Sequence, residues 1–293
     1  MSKQLCFEDV TRAHQRINEV VKRTPIVEST LLNSWMGHRI LFKAECLQTI
    51  GAFKIRGAMN FLAKLKEEGR LPSQVVANSS GNHAQAVAYA AAHFGIKATI
   101  FASENISPIK AAATKSYGAE LKLFATRPEA DIAVKEAANS PDAVWIPPFN
   151  HEDIIAGQGT AALEALEDAG NVDAVFAPCG GGGLLAGALL ATRALQPNAL
   201  VIGAEPAEAN DASMSLQAGE IVALEHTPVT LADGAATPSV GDVTFELLQQ
   251  LDDFYEVDEL QIAYWTQWLH HLLKLHIEPT CAMTMAAVAS WAA

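Results

Sequence analysis

The amino-acid sequence predicts an α/β protein with two lobes, each containing a mostly parallel β-sheet covered by helices. Short β-branched segments alternate with alanine-rich helical segments along nearly the whole chain, which is the pattern of parallel sheets. The 293 residues are enough for two lobes around a shared core. We expect a larger lobe at 1–72 and 148–293 and a smaller lobe at 73–147, with Pro147 and Pro148 marking the return.

The predicted elements follow one another in a regular order. A strand at Arg39–Glu45 precedes a helix at Phe53–Glu68. A strand at Gln74–Asn78 precedes a helix at Asn82–His93. Four more predicted strands each precede a turn and a helical segment: Ala98–Ala102, Ala143–Ile146, Ala174–Ala177 and Leu200–Ala204. Residues 208–241 are rich in turn signals, so we expect them to wrap the surface or the mouth of a site.

Composition argues against several functional classes. Half of the residues are apolar, 18% are charged and the formal net charge is −13. Such acidity disfavours binding to nucleic acid or to anionic lipid, so we expect neither partner. No apolar run reaches the roughly 18 residues that a membrane-spanning helix needs. The four cysteines lack CxxC spacing, which is typical of reduced thiols and predicts a cytoplasmic protein.

A run of glycines, Gly180–Gly183, lies between a predicted strand and a predicted helix. Consecutive glycines are favoured where the backbone must approach a ligand closely, and free N–H groups at a helix start bind anions. The spacing of Gly181, Gly183 and Ala186 also fits a dinucleotide site, with Glu205 after the next strand as the ribose-binding acid. This segment alone therefore leaves a simple phosphate and a dinucleotide open.

Two further segments place reactive or polar side chains at the start of a predicted helix. Lys54 follows a Gly-Ala turn at the start of a helix, between Phe53 and Ile55. Apolar neighbours and a helix N-terminus favour the neutral amine, which suits Schiff-base chemistry. The loop Asn78–His83 offers hydroxyl and amide groups at another helix start, which suits a carboxylate. Taken singly, a surface lysine and an ordinary helix cap would explain both features.

Five motifs occur in order between about residue 20 and residue 283. They are Glu-Cys-Leu-Gln through Gly-Ala-Phe-Lys-Ile-Arg-Gly-Ala at 45–58, Ser-Ser-Gly-Asn-His at 79–83, Ala-Gly-Gln-Gly-Thr at 156–160, Gly-Gly-Gly-Gly-Leu at 180–184 and Ala-Asp-Gly at 232–234. With these motifs the sequence resembles the serine racemase and serine/threonine dehydratase family, which are pyridoxal-phosphate (PLP) enzymes of the tryptophan-synthase β-like fold. The resemblance implies a dehydratase that releases water and ammonia from a small β-hydroxy-amino acid and leaves a 2-keto acid.

The resemblance also implies residue roles. Lys54 would carry pyridoxal 5'-phosphate and act as the base at the substrate Cα, and Ser80 would exchange a proton on the opposite face. The cofactor would be bound by Phe53, Lys54, Asn82, Gly180, Gly181, Gly182, Gly183, Leu184, Gly234 and Glu278. The substrate would be bound by Ser79, Ser80, Asn82 and His83. Mg²⁺ or Ca²⁺ would be bound by Glu205, Ala209 and Asp211.

Other functions stay open at this point. Serine racemisation shares the early steps of the elimination and is favoured by Ser80 and by the Glu205/Asp211 pair. A catalytically weak PLP- or amino-acid-binding protein is a second alternative, because the family's Ser/Thr/Cys-Gly-Gly-Asn segment does not follow Glu278 in this sequence. A dinucleotide-dependent dehydrogenase explains only the glycine run. The resemblance further implies a homodimer and a small amino-acid substrate.

Overall fold

Three β-sheets organise the chain in the computed structural model, which describes residues 5–293. The strands are β1 (Ile26–Val27), β2 (Phe42–Lys43), β3 (Gln74–Asn78), β4 (Lys97–Ser103), β5 (Glu120–Phe124), β6 (Ala143–Trp145), β7 (Ala174–Pro178), β8 (Leu200–Pro206) and β9 (Asp253–Val257). The helices are α1 (Phe7–Ile17), α2 (Thr30–Met36), α3 (Lys54–Glu67), α4 (Asn82–Phe94), α5 (Pro108–Ser116), α6 (Arg127–Ala138), α7 (Glu152–Ala169), α8 (Gly183–Leu195), α9 (Asp211–Ala218), α10 (Asp242–Leu248), α11 (Glu259–Leu273) and α12 (Pro279–Trp291). Short 3₁₀ turns lie at Glu45–Leu47, Ala207–Ala209 and Asp233–Ala235.

Two of the sheets are entirely parallel, which confirms the predicted α/β class. The larger sheet has the order β5-β4-β3-β6, and the second has the order β7-β8-β9. The short pair β1-β2 is antiparallel. Parallel neighbours need long crossovers, and helices supply most of them here. The larger sheet lies within residues 74–145; the lobe boundaries given above stay a prediction.

The strand register brings both predicted loops to carboxyl ends of parallel strands. Asn78, the last residue of β3, pairs with Phe101 of β4, and Pro178, the last residue of β7, pairs with Ala204 of β8. The Ser-Ser-Gly loop follows β3 and leads into α4, while the glycine run follows β7 and leads into α8. Loops at such strand ends are where open α/β sheets bind ligands.

Helix α7 connects the two main apolar cores. Ile154 belongs to a cluster formed with α3, α4 and β3, whereas Ile155 belongs to a second cluster formed with α8 and β7. Both side chains are fully buried, so consecutive residues of one helix are packed into both cores. No helix of the described residues is long and apolar enough to cross a membrane.

A buried ionic network holds the start of α3. Arg56 is fully buried, and its two Nη atoms donate to the two carboxylate oxygens of Glu164 on α7, both at 2.8 Å. Arg56 also donates twice to Glu45 at 2.8 Å, and Lys43 donates to Glu164 at 2.7 Å. Because paired charges tolerate burial far better than single ones, these side chains tie α3, α7 and the β2 region into one unit. Lys54 lies two positions before Arg56 on the anchored turn.

The predicted strand at Arg39–Glu45 is wrong in extent. Only Phe42–Lys43 is paired as β2, because the chain turns into a 3₁₀ segment at Glu45 and the Glu45 carboxylate bonds to Arg56. The edge strands β5 and β9 were not predicted, since their exposed and charged residues lack the apolar signal of buried strands.

The turn-rich segment 208–241 also contains a helix, α9, which its composition did not predict. Glu205 accepts hydrogen bonds from the backbone N–H groups of Ala212 at 3.2 Å and Ser213 at 2.7 Å. A carboxylate from a neighbouring strand end thus satisfies the first turn of α9, a contact that local sequence patterns do not reveal.

Candidate functional site

Lys54 is the first residue of α3, and its amine is buried at the centre of the candidate site. Its Nζ donates to the carbonyl oxygen of Pro148 at 2.6 Å and lies 5.2 Å from the ring centroid of Phe53. Burial lowers the pKa of Lys54 from 10.5 to about 8, since a site with little water disfavours the charged amine. A larger fraction of neutral amine near neutral pH suits a nucleophile or a base.

The loop between β3 and α4 places the predicted substrate-binding residues together. The hydroxyl of Ser79 accepts the N–H of Gly81 at 3.1 Å. Within the described chain, the hydroxyl of Ser80 has no hydrogen-bond partner. The first N–H groups of α4 have no partners inside the helix, as in any helix. Hydroxyls and N–H groups are therefore available here to bind an anionic group.

His83, the second residue of α4, is buried and uncharged. Its Nε2 lies 2.9 Å from the carbonyl oxygen of Ile146. Burial, together with the positive charge of nearby Lys54, lowers the pKa of His83 to about 3. A carbonyl only accepts hydrogen bonds, so Nε2 carries the proton and Nδ1 carries a lone pair. His83 can thus accept a hydrogen bond but does not supply a positive charge.

Asn82 joins the loop after β3 to the start of α12. Its Nδ2 donates to Glu278 Oε2 at 2.7 Å, although the two residues are 196 positions apart. Lys110 of α5 lies 3.7 Å from Glu278 Oε1 and also forms an ion pair with Asp233. Burial lowers the pKa of Lys110, but its hydrogen bond to Asp233 and the charges of both acids outweigh burial and raise that pKa. Asn82 of α4 and Lys110 of α5, whose helices flank the larger sheet, therefore contact the residues at Asp233 and Glu278.

The glycine run packs tightly against Phe149 and the α7 helix. Gly182 has φ of +88°, a conformation that side chains other than glycine rarely adopt. A methyl group at Gly181 would collide with the ring of Phe149, and one at Gly183 would collide with Gln158 Oε1. Gln158 Oε1 is buried and has no hydrogen-bond partner in the described residues. The free N–H groups at the start of α8, including that of Leu184, lie beside this loop.

The other side of the glycine run faces the Ala-Asp-Gly motif. A methyl group at Gly180 would lie 3.0 Å from Ala235 Cα and 3.4 Å from Thr237 Oγ1. The N–H of Gly234 donates to Thr280 Oγ1 at 3.1 Å, at the start of α12. The hydroxyl of Thr237 is buried and lacks a partner among the residues described.

These contacts form a partial ring of residues around the site. The ring runs from Lys54 through Pro148 and Gln158 to the glycine run, then to residues 234–237 and Glu278, and returns through Asn82 and His83. The free N–H groups at two helix starts and the unsatisfied hydroxyls suit a ligand with a phosphate. The Lys54 amine, with its lowered pKa, suits a ligand with a reactive carbonyl carbon. Sequence reasoning missed Pro148, Gln158 and Thr237. Only Gln158 had a signal, since it lies inside the quoted Ala-Gly-Gln-Gly-Thr motif.

The two predicted acidic metal ligands, Glu205 and Asp211, are buried and close enough for their charges to interact. Burial raises the pKa of Glu205 to about 9, assisted by the charge of Asp211, and burial raises the pKa of Asp211 to about 7. Asp211 Oδ2 is buried and has no hydrogen-bond partner within residues 5–293. No group of three or more His, Cys, Asp or Glu side chains in the described chain is placed to hold a metal ion. Ala209 lies in the 3₁₀ turn between the two acids.

Comparison with known proteins gives one consistent result. The family model described as "Pyridoxal-phosphate dependent enzyme" matches residues 17–293. The chain is 42% identical over 283 residues to L-threo-3-hydroxyaspartate ammonia-lyase of Saccharomyces cerevisiae, covering 96% of this chain and 86% of that protein. It is 38% identical over 283 residues to serine racemase of Schizosaccharomyces pombe, and the alignment covers 96% of this chain and 87% of that protein. The crystal structure of a threonine deaminase from T.th. superposes with a TM-score of 0.92 at 41% identity, covering 98% and 93%.

Proposed function

The chain belongs to the family of pyridoxal-phosphate-dependent enzymes, and on that premise we propose that it is a dehydratase of small β-hydroxy-amino acids. The substrate class is L-serine, L-threonine or 3-hydroxyaspartate, and the products are water, ammonia and a 2-keto acid. The observation that carries the proposal is Lys54, whose buried amine has a pKa lowered to about 8. This amine donates to the carbonyl oxygen of Pro148, and the next residue, Phe149, packs against the glycine run. Hydroxyaspartate ammonia-lyase and threonine deaminase are among the similar proteins.

Most of the predicted site residues in this ring have a task in the proposal. The N–H groups of Gly180–Gly183 and Leu184 bind the phosphate of the cofactor, and Thr237 can satisfy its hydroxyl on the same phosphate. Lys54 carries the cofactor, and Phe53, Asn82, Gly234 and Glu278 surround it. When bound, pyridoxal phosphate supplies a conjugated ring that accepts the negative charge left at the substrate Cα.

Side chains and N–H groups of the chain bind the substrate and transfer its protons in this proposal. Lys54 removes the Cα proton, for which an amine with a pKa near neutrality is well matched. The hydroxyls of Ser79 and Ser80 and the N–H groups at the start of α4 bind the substrate carboxylate. His83 is neutral, so it accepts a hydrogen bond there and adds no charge.

Racemisation is a second candidate function, favoured by one observation. The hydroxyl of Ser80 has no partner among the described residues, which leaves it available to exchange a proton on the substrate. Serine racemases are also among the similar proteins. Chiral analysis after incubation with L-serine tests this, and the absence of D-serine with either Mg²⁺ or Ca²⁺ present would exclude it.

We infer a divalent cation at Glu205 and Asp211, with a backbone oxygen of Ala209 as a third ligand. Two buried acids with one unsatisfied oxygen support this, because a hard cation prefers oxygen ligands and would stabilise both charges. Mg²⁺ and Ca²⁺ are the candidates. A rise in melting temperature with either ion, lost in Asp211→Asn, is expected; an equal rise in both proteins would contradict the site.

We further infer a homodimer formed through an aromatic patch on α2 and α11. The patch consists of Leu31, Trp35, Leu260, Tyr264 and Trp268, all at least 36% exposed, with Leu260 at 83%. Trp35 and Trp268 stack edge to face with centroids 5.2 Å apart. Exposed aromatic clusters of this kind mark protein interfaces. Sedimentation should give a dimer that Trp35→Glu converts to a monomer; an unaffected dimer would place the interface elsewhere.

The cysteine spacing supports a cytoplasmic protein, as predicted from the sequence. Fractionation of cells that produce the tagged chain tests this location, and recovery from a secreted or membrane fraction would contradict it.

The decisive experiment for the dehydratase proposal measures keto-acid release from L-serine, L-threonine and 3-hydroxyaspartate. Purified protein is supplied with pyridoxal phosphate and Mg²⁺, and Lys54→Ala is compared with Lys135→Ala, which changes an exposed lysine on α6. We expect steady release by wild type and Lys135→Ala and none by Lys54→Ala with its fold retained. Full activity of Lys54→Ala would refute the proposal, whereas a yellow but inactive wild-type protein would favour a weak binding protein.

A further inference from the structure

Gln158 connects the amine of Lys54 with the glycine run. It lies on α7, and its side chain is 1% exposed. Its Nε2 donates to the carbonyl oxygen of Pro148 at 3.1 Å, and Lys54 Nζ donates to the same oxygen at 2.6 Å. At the other end, Gln158 Oε1 lies against Gly183, so closely that a methyl group at that glycine would collide with it.

The orientation of the Gln158 amide follows from its partners. Pro148 offers a carbonyl oxygen, which only accepts, so the NH₂ group must face Pro148 and the oxygen must face Gly183. The oxygen has no hydrogen-bond partner within the described chain, yet it is buried at the positive end of α8. A buried amide oxygen at this place is stabilised by the helix end, which fixes the amide in one orientation.

A carbonyl shared by two donors has a consequence for Lys54. An oxygen with two lone pairs can accept both hydrogen bonds, so the Lys54 amine can leave Pro148 without leaving the buried oxygen unsatisfied. Without Gln158, departure of the amine would leave that carbonyl unsatisfied, which is costly, and Lys54 would be held at Pro148 in its charged form. Gln158 keeps one donor in place whether or not Lys54 has moved.

From these contacts we propose that Gln158 is a positioning residue for Lys54: it keeps one donor on the Pro148 carbonyl oxygen and thereby allows the Lys54 amine to leave that oxygen. The inference rests on the proposed role of Lys54 as the residue that carries the cofactor. It also gives the Ala-Gly-Gln-Gly-Thr motif a function, since none of its members was assigned a task in the reaction.

The test measures how fast the full chain, freed of cofactor by dialysis, forms the lysine-linked absorbance band after addition of pyridoxal phosphate. The rate is followed across a range of pH values for wild type, Gln158→Met and Gln158→Glu. Gln196→Met is the control, because the Gln196 amide also donates to a main-chain carbonyl oxygen, that of Gly170, away from the site. Gln196 additionally accepts the N–H of Val172.

We expect Gln158→Met to slow band formation by about fivefold or more near neutral pH, because Lys54 becomes the sole donor to Pro148. The midpoint, which is the pH at which the rate reaches half of its maximum, should move upward for the same reason. Gln158→Glu keeps the volume and should also raise the midpoint, since a carboxylate beside the amine favours its charged form. Gln196→Met should lower the melting temperature without moving the midpoint.

Two results would overturn the proposal. Unchanged rates and midpoints in both Gln158 variants would show that the amide does not control Lys54, and losses matched by Gln196→Met would assign Gln158 to helix packing alone. The proposed function fails separately, because a wild-type chain that never forms the lysine-linked band refutes the role of Lys54 itself. If Gln158→Met does not fold, the rate of band formation in Gln158→Glu carries the comparison, since a carboxylate cannot donate a hydrogen bond to Pro148.

Discussion

Replacing Lys54 with methionine should make the cofactor-free protein more stable while abolishing its activity. Burial lowers the pKa of Lys54 from 10.5 to about 8, so a charged amine is held in a site that disfavours charge. That difference corresponds to roughly 3 kcal/mol of unfolding free energy, at about 1.4 kcal/mol for each tenfold change. Methionine has a similar length and no charge, so Lys54→Met should regain most of this amount near pH 7.

The stability gained by Lys54→Met should depend on pH. Below the folded pKa of about 8, Lys54 is protonated in both states and the full cost is present. Between about 8 and 10.5 the unfolded chain binds more protons than the folded one, so wild-type stability rises with pH. The gain from Lys54→Met should therefore shrink from roughly 3 kcal/mol near pH 7 to below about 1 kcal/mol near pH 10.

The assay is denaturant unfolding of both proteins, free of cofactor, at the two pH values and at one protein concentration. Lys135→Met serves as the control, because Lys135 is exposed on α6 and should change stability little at either pH. A Lys54→Met protein that is less stable than wild type, or a gain that does not depend on pH, would refute the reasoning that the buried amine is destabilising.

Two further changes test the surroundings of Lys54. Glu164→Ala leaves the fully buried Arg56 without one of its two acids, and unfolding in denaturant should show a loss of about 3 to 5 kcal/mol; an unchanged midpoint would mean that Glu45 alone suffices. Gly183→Ala forces a methyl group into Gln158 Oε1 and should weaken binding of pyridoxal phosphate by roughly tenfold in an absorbance titration. Wild-type affinity in that variant would place the phosphate elsewhere.

The sequence predicted the main elements because their signals are local. β3 has the predicted bounds Gln74–Asn78, and α4 begins at the predicted Asn82. Apolar runs followed by small polar residues mark buried strands and helix starts wherever they occur. The edge strand β9 carries no such signal, because exposed residues such as Asp253 and Glu256 do not need to be apolar.

Long-range pairings could not be predicted in this way. Arg56 and Glu164 are 108 positions apart and Asn82 and Glu278 are 196 positions apart, and nothing in the local pattern of either member names its partner. The motif that contains Gln158 was recognised, but its role depends on Pro148 and Gly183, which only the folded chain brings beside it.

The sequence by itself determined the α/β class, the two loops at strand ends and Lys54 at a helix start, since each depends on residues adjacent in the chain. Only the tertiary structure decided that the Lys54 amine is buried, which carbonyl it contacts and that His83 is neutral. The physical reason is that burial and hydrogen-bond partners, which set a pKa, are supplied by distant segments that meet only after folding.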